Sequence, residues 1–282
     1  MEKYYLDLVS LSRTIEKRIN STDYPILSTI FDHKYFEYIR LQIKEMSIYG
    51  NTGPVHSMAI AMRRNEEDKG ELLNLFEKYL HLIFNHPTVK KHHITYIKTE
   101  LVSQGCINTM FEVSILGNLL THIDNSKIKL YSRTTGLRDV EAEIELFNRS
   151  IYIEVSVLGE SKGDMEIRNK MMKMKKNVWS GSRDMEHDTA RFKVKVEEKT
   201  KQFLPNKPNV LILCTFDIFP IDFEIKAAMR NNFFNNVGLL LRFKREELKN
   251  IFTPDKTCYL NKDEIIWLKD FFTGDKYKPL TY

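Results

Sequence analysis

The chain has 282 residues, of which 42% are hydrophobic and 29% are charged, and its net charge is +5, a composition typical of a soluble protein with one or two domains. Its apolar runs are shorter than the roughly 18 residues of a membrane-spanning helix, and its charged N-terminal segment is unlike a signal peptide. Three widely spaced cysteines without a CxxC pair indicate reduced thiols, so we expect a cytoplasmic protein without a membrane partner.

The first hundred residues have the pattern of amphipathic helices. Apolar side chains recur at intervals of three or four within residues 6–15 and again within residues 72–83, the spacing of one helix face. Asn51-Thr52-Gly53-Pro54 separates these two runs, because glycine and proline interrupt helices. We therefore expect residues 1–104 to form an all-α N-terminal domain that serves target recognition, dimerisation or both.

From residue 105 onward the pattern changes to alternating helices and strands. We predict a helix at residues 108–122, three strands at 127–131, 138–147 and 151–158, and a long basic helix at 167–203. Two further strands at 210–214 and 237–243 and a terminal helix at 262–272 follow. A turn at Asn148-Arg149-Ser150 joins the second and third strands. This order predicts an α/β fold with a mixed β-sheet flanked by helices. We assign it to one domain over residues 105–282.

Positive charge is concentrated in the predicted basic helix. Residues 162–207 contain thirteen Lys and Arg against seven Asp and Glu, a net charge of +6. Such a stretch is typical of a surface that binds nucleic-acid phosphates, although a solvated lysine-rich helix face gives the same composition. The candidate contacts are Lys195, Lys193, Arg191 and Lys176.

Two carboxylates of the predicted hairpin are the strongest candidates for chemistry. Glu154 lies in a strand whose neighbouring residues are apolar, and a buried carboxylate needs a partner because burying an unpaired charge is costly. Asp139 begins the preceding strand and can approach Glu154 across the hairpin. Two such carboxylates favour a hard divalent cation. We interpret Glu141 and Glu143, on the same strand, as solvated.

Helical periodicity adds polar residues to this candidate site. Glu112 falls in the apolar stripe of the helix at residues 108–122, and Lys199 falls in that of the basic helix. Lys195 and Gln202 flank Lys199. A lysine directed at a sheet that carries carboxylates indicates a pairing or functional role. The adjacent His92 and His93, in contrast, are expected to point apart, which disfavours a joint metal site.

The hairpin resembles the motif of the PD-(D/E)xK nuclease superfamily, which includes many restriction enzymes and repair nucleases. The matching residues are Asp139 and Glu154-Val155-Ser156, and the surrounding order of elements over residues 105–245 also fits. The chain departs from the pattern in two places: Arg138 replaces the motif proline, and Ser156 replaces the motif lysine. Some members of the superfamily supply that lysine from the next helix, where Lys199 is the candidate and Lys195 the second choice.

The resemblance implies a restriction-endonuclease-like fold and Mg²⁺-dependent hydrolysis of DNA, with Mn²⁺ able to substitute. Asp139, Glu154 and the Val155 carbonyl would hold the metal, which activates water and polarises the phosphate. Lys199 would orient the water or neutralise charge on the phosphate, and Glu112 would support the metal. Gln202 would help to fix the water. Two-fold symmetric cutters of this kind are commonly homodimers.

Two other classes of function remain open from the sequence. Because Ser156 replaces the motif lysine, the chain could be a nucleic-acid-binding module that keeps the nuclease fold without its chemistry. A small-molecule α/β enzyme is the third reading, but the sequence has no glycine-rich phosphate loop of the GxGxxG or GxxxxGK[ST] type to favour it.

Overall fold

A computed structural model of the protein describes residues 2–49, 70–103, 106–133, 139–158, 185–215, 236–244, 247–253 and 259–280. Its described parts form a mixed α/β fold, as predicted. Among the helices in these ranges, none is long and apolar enough to cross a membrane.

The regular elements described in the N-terminal region are all helices. It contains α1 (Glu2–Ile19), α2 (Pro25–Ile30), α3 (His33–Tyr49), α4 (Glu71–Phe84) and α5 (Lys91–Leu101). Each predicted apolar position of the second run is buried in α4: Leu72, Leu73, Phe76, Tyr79, Leu80 and Ile83. The three-to-four spacing thus identifies the face of α4 that packs into the core. The predicted break at residues 51–54 lies outside the described residues.

The second half forms a mixed sheet flanked by helices. Its elements are α6 (Cys106–His122), β1 (Ile128–Arg133), β2 (Asp139–Leu146), β3 (Arg149–Leu158), α7 (Met185–Thr200), β4 (Asn209–Thr215), β5 (Leu239–Lys244), β6 (Glu247–Phe252) and α8 (Lys262–Thr273). The described strands follow one another in sequence order across a six-stranded sheet. β3, β4 and β5 run parallel, and the other neighbouring pairs are antiparallel.

The two faces of the sheet pack against different helices. On β4, Val210 and Ile212 belong to the large core that includes α6, whereas Leu211 and Leu213 belong to a smaller core with Phe192 of α7. This alternation follows from the two-residue period of a strand, and burial on both faces explains why β4 is continuously apolar.

The helical region and the sheet share one core. The buried residues of α4 and α6 lie in the same apolar cluster, and these helices approach closely at Gly117. A Cβ atom at this position would lie 2.2 Å from Cγ of Tyr79, so any larger side chain would force the helices apart. The Tyr79 hydroxyl also donates to the Lys278 carbonyl at 2.7 Å. Packing therefore continues across the predicted domain boundary at residues 104 and 105.

Two details differ from the sequence-based expectations, and a third prediction lies partly outside the described residues. The hairpin turn lies at Phe147 and Asn148, which have φ angles of 51° and 60°, rather than at residues 148–150. β6 was not predicted, because half of the residues in its sequence ELKNIF are polar. The basic helix is described from Met185, and the remainder of its predicted range, residues 167–184, lies outside the described residues.

Candidate functional site

The candidate site lies where β2 and β3 stop pairing. Their recorded register runs from the turn to Ala142 opposite Ile153. One residue further along β2, Glu141 places Oε2 at 3.0 Å from the backbone nitrogen of Val155, which donates to it. A carboxylate thus takes the place of a strand carbonyl. This brings the Glu141 side chain to the backbone next to Glu154.

Glu154 is the buried centre of this site. Its side chain is 0% exposed and its Oε1 accepts from the Lys199 ammonium, which also donates to Glu141 Oε1 at 3.1 Å. The prediction that Lys199 faces the sheet is confirmed. Within the described part of the chain, neither Glu154 Oε2 nor Ser156 Oγ has a hydrogen-bond partner, although both atoms are buried.

The electrostatics of the site follow from an excess of carboxylates. Burial, reinforced by the Glu141 carboxylate, raises the pKa of Glu154 well above the usual value, while Lys199 acts in the opposite direction. Burial lowers the pKa of Lys199, but Glu141 and Glu154 outweigh it and leave that pKa raised. Lys199 is therefore charged. A proton taken up by the cluster binds to one of the carboxylates.

Glu112 joins the cluster from α6. Its Oε1 accepts a 2.7 Å hydrogen bond from the Tyr131 hydroxyl, and Tyr131 has an unusual φ of 51°. A non-glycine residue in this conformation costs about 1–2 kcal/mol, so surrounding contacts must hold it. Burial and the nearby Glu141 carboxylate raise the pKa of Glu112 to about 7. The predicted inward orientation of Glu112 is consistent with these contacts.

Asp139 lies at the start of β2 and faces α5. Its Oδ2 is 3.4 Å from Nε2 of His93, and its side chain is 29% exposed. His92, His93 and Asp139 each offer a ligand atom, and these three atoms lie within 4.8 Å of one another. The ring centroids of the two histidines are 3.9 Å apart. The expectation that the histidine side chains point apart is therefore wrong.

The remaining predicted residues lie around α7 or outside the described structure. Gln202 is buried beyond the end of α7, and its backbone N–H donates to the Lys199 carbonyl at 3.0 Å. Lys195 lies one turn before Lys199 and is partly exposed. Arg191 and Lys193 lie on α7, but their side chains are outside what the structure describes, as is the whole of Lys176.

Glu141 is the residue that sequence reasoning missed. Its side chain is 12% exposed and paired, so the interpretation of Glu141 as a solvated carboxylate is wrong. The same interpretation is wrong for Glu143, whose side chain is 15% exposed and accepts hydrogen bonds from Ser132 and Ser150. The position of the turn could have identified Glu141. A turn at Phe147 and Asn148 places Glu141 opposite Glu154 when the antiparallel register is extended by one residue.

Searches against family models, curated proteins and solved structures find no match to this chain.

Proposed function

We propose that the chain is a Mg²⁺-dependent endonuclease with a restriction-endonuclease-like fold, which hydrolyses phosphodiester bonds of DNA in the cytoplasm. The observation that carries this proposal is the cluster of Glu112, Glu141 and Glu154 around Lys199. Three carboxylates meet one ammonium, and the central carboxylate is fully buried. Burying an excess of carboxylates is costly for folding, and a bound cation would offset that cost.

The donor set fits a hard divalent cation. Carboxylate and carbonyl oxygens are the preferred ligands of Mg²⁺, and Glu154 Oε2 is a buried oxygen without a partner among the described residues. A cation beside it would favour the ionised form of a carboxyl group whose pKa is raised by burial and by Glu141. Asp139, Glu154 and the Val155 carbonyl remain the proposed ligands, and Glu141 is added to them.

Each side chain of the cluster then has a chemical task. A bound Mg²⁺ ion would supply Lewis-acid polarisation of the phosphate and activation of water. Lys199, charged and directed into the cluster, would neutralise negative charge that develops on the phosphate. Glu112, whose pKa is raised by burial and by Glu141 to about 7, is suited to accept a proton near neutral pH. Gln202 would fix the attacking water.

We propose that Lys199 takes the role of the missing motif lysine. Ser156 occupies the third motif position on β3, and its neutral hydroxyl cannot serve as a cation. The Lys199 ammonium reaches Glu154 from α7 instead. The same surface of α7 carries Lys195, and we propose that Lys195, with Lys193, Arg191 and Lys176, contacts backbone phosphates. A homodimer would present two such sites to the two strands.

The test is cleavage of plasmid, linear duplex and single-stranded DNA in Mg²⁺ or Mn²⁺, with EDTA as the metal-free control. We expect metal-dependent cutting by the wild type and a loss of about 100-fold or more for Glu154→Gln. Glu145→Gln is the matched control, because Glu145 lies on β2 of the same hairpin but is exposed. Equal cutting by wild type and Glu154→Gln would place the activity elsewhere.

Asp139→Asn and Glu141→Gln, tested in the same assay, decide which acidic residue of β2 binds the metal. Glu141 contacts Lys199 and the Val155 backbone, whereas Asp139 contacts His93. The ligand is the one whose substitution raises the Mn²⁺ concentration needed for half-maximal cutting. If neither substitution changes it, β2 does not contribute a metal ligand.

A binding module without nuclease activity is the second candidate. Ser156 at the motif position favours it, as does the pairing of Lys199 with two carboxylates, which neutralises part of the cluster without any metal. This candidate predicts salt-sensitive binding of DNA with no cutting in either metal, and Glu154→Gln would leave the affinity for DNA unchanged.

A further inference from the structure

His93 of α5 belongs to the helical N-terminal region but is linked to the carboxylate cluster through the sheet residue Tyr131. Its side chain is largely buried, with a relative exposure of 10%. It contacts two residues that lead to the cluster, Asp139 of β2 and Tyr131 of β1. The role of α5 at the site therefore depends on how the His93 ring interacts with Asp139 and Tyr131.

The hydrogen bonds of His93 define its tautomer. The backbone N–H of Lys90 donates to Nδ1 at 3.2 Å, so Nδ1 is an acceptor and the neutral ring carries its proton on Nε2. Nε2 is the nitrogen that lies 3.4 Å from Asp139 Oδ2. His93 therefore directs an N–H donor at the Asp139 carboxylate.

The same tautomer argues against a metal at His92, His93 and Asp139, even though their ligand atoms lie within 4.8 Å. A histidine that binds a metal through one nitrogen donates a hydrogen bond from the other to a carboxylate, carbonyl or water. Nδ1 of His93 instead meets an N–H donor. Coordination through Nε2 would turn two donors toward each other, so hydrogen bonding to Asp139 is the role that fits.

The face of the His93 ring contacts Tyr131, which in turn binds the Glu112 carboxylate. It stacks on Tyr131 with a centroid separation of 4.4 Å and an interplanar angle of 24°. Tyr131 has the left-handed φ of 51° and donates its hydroxyl to Glu112. Strained residues persist where neighbouring contacts hold them, and they concentrate at functional sites. The stacked imidazole is such a contact for Tyr131.

We propose that His93 is a positioning residue of the nuclease site, holding Asp139 through Nε2–H and Glu112 through the stacked Tyr131. This inference rests on the proposed function, in which Asp139 binds the metal and Glu112 accepts a proton. It makes α5 part of the catalytic centre, so that the N-terminal region completes the site in addition to any role in target recognition.

The test compares His93→Gln with His93→Leu in Mn²⁺-dependent cleavage. A glutamine amide reaches the place of Nε2 and donates to Asp139, whereas leucine fills the space without a donor. We expect His93→Leu to lower kcat by about 10- to 100-fold, as outer-shell substitutions at metal sites do, with KM for DNA unchanged. His93→Gln should recover most of the loss, and the exposed neighbour variant His92→Leu should resemble the wild type.

Two results would overturn the proposal. If His93→Gln cuts as poorly as His93→Leu while both unfold at the wild-type urea concentration, the Nε2 donor is not what the site needs. If His92→Leu loses activity to the same extent, the two histidines act together, as metal ligands would.

A measurement without activity separates this proposal from the nuclease proposal. Nitrogen-15 spectra of the histidine rings report the tautomer directly, and we expect His93 in the Nε2–H form with and without Zn²⁺. An Nδ1–H form, or a Zn²⁺-dependent shift of His93 Nε2, contradicts the positioning role even if the protein cuts DNA. If the wild type cuts no DNA, the nuclease proposal fails. If His93→Leu then binds Mn²⁺ with the wild-type affinity, the proposal that His93 positions the site fails as well.

Discussion

Among the residues that the structure describes, two glutamates are fully buried, and the contrast between them separates a structural carboxylate from a candidate functional one. Glu264, at the start of α8, forms a reciprocal capping box with Asn261, with bonds of 2.7 and 2.9 Å, and its carboxylate lies 3.0 Å from Arg149. Helix capping and ion pairing account for this residue. Glu154 is likewise 0% exposed, but no comparable local structure requires it.

The difference lies in the balance of charge around each residue. Arg149 is the cation recorded at Glu264, whereas Lys199 is shared between Glu154 and Glu141 and also interacts with Glu112. Burial alone therefore does not indicate function. A buried carboxylate becomes a candidate ligand when the acidic groups around it outnumber the cations that the described fold provides.

The largest expected effect is on cleavage, when the cation beside each glutamate is removed in a separate variant. Lys199→Ala should lower kcat for metal-dependent cleavage by about 100-fold or more, because a positioned cation stabilises charge in the transition state. Arg149→Ala, which removes the ion-pair partner of Glu264, should leave kcat within about two-fold, since neither residue belongs to the cluster around Lys199. Single-turnover cleavage measures both. A similar loss in the two variants would remove the distinction between the sites.

The next effect concerns stability, and the cost of neutralising the carboxylate should be larger for Glu264 than for Glu154. Glu264→Gln should cost about 1–2 kcal/mol, because a charged hydrogen-bonded group is lost. Glu154→Gln should cost less or stabilise the fold at pH 8, because burial and Glu141 raise the pKa of Glu154, so that its charged form opposes folding there. Urea unfolding in EDTA gives both values. A greater cost for Glu154→Gln would mean that its charge is needed for folding.

Glu112 should make stability depend on pH. Burial and Glu141 raise its pKa from 4.5 to about 7, so the folded state binds more protons than the unfolded state between these values. Stability should therefore fall as pH rises through this window. Glu112→Gln keeps an acceptor for Tyr131 but cannot ionise, so its stability relative to the wild type should increase by about 2 kcal/mol from pH 5 to pH 8. Unfolding at both pH values, in EDTA, measures the difference, and a constant difference would contradict the raised pKa.

Glu143 provides the smallest effect and a control within the same hairpin. Burial opposes its charge, but hydrogen bonds from Ser132 and Ser150, together with Lys129, lower its pKa below the usual value. Its stabilising contribution should be present above pH 4.5 and should disappear as the pH falls through the lowered pKa. Glu143→Gln should cost about 0.5 kcal/mol at pH 7 without changing cleavage. A loss of cutting would extend the site along β2.

Local periodicity was sufficient to predict much of the fold. The buried face of α4 and the continuously buried β4 follow from spacing alone, because helix and strand periods determine which side chains share a face. The same reasoning identified Lys199 as facing the sheet. β6 was missed because half of its residues are polar and the strand lies at an edge, where one face need not be buried.

Contacts between distant segments were not predictable in this way. Glu141 was misread because a small error in the turn changes which residues face each other across a hairpin. The contacts of His93 with Asp139 and of Tyr131 with Glu112 join elements far apart in sequence, and no local pattern encodes them. The positive φ of Tyr131 also carries no sequence signal, since tyrosine ordinarily avoids this conformation.

Binding of Mn²⁺ to the wild type, Glu154→Gln and Glu264→Gln, followed by electron paramagnetic resonance, tests most directly whether the cluster around Glu154 is a metal site. We predict saturable binding by the wild type and by Glu264→Gln, and a loss of at least about ten-fold in affinity for Glu154→Gln. Equal affinities in all three proteins, or no saturable binding to the wild type, would contradict the assignment of this cluster as the metal centre of a nuclease.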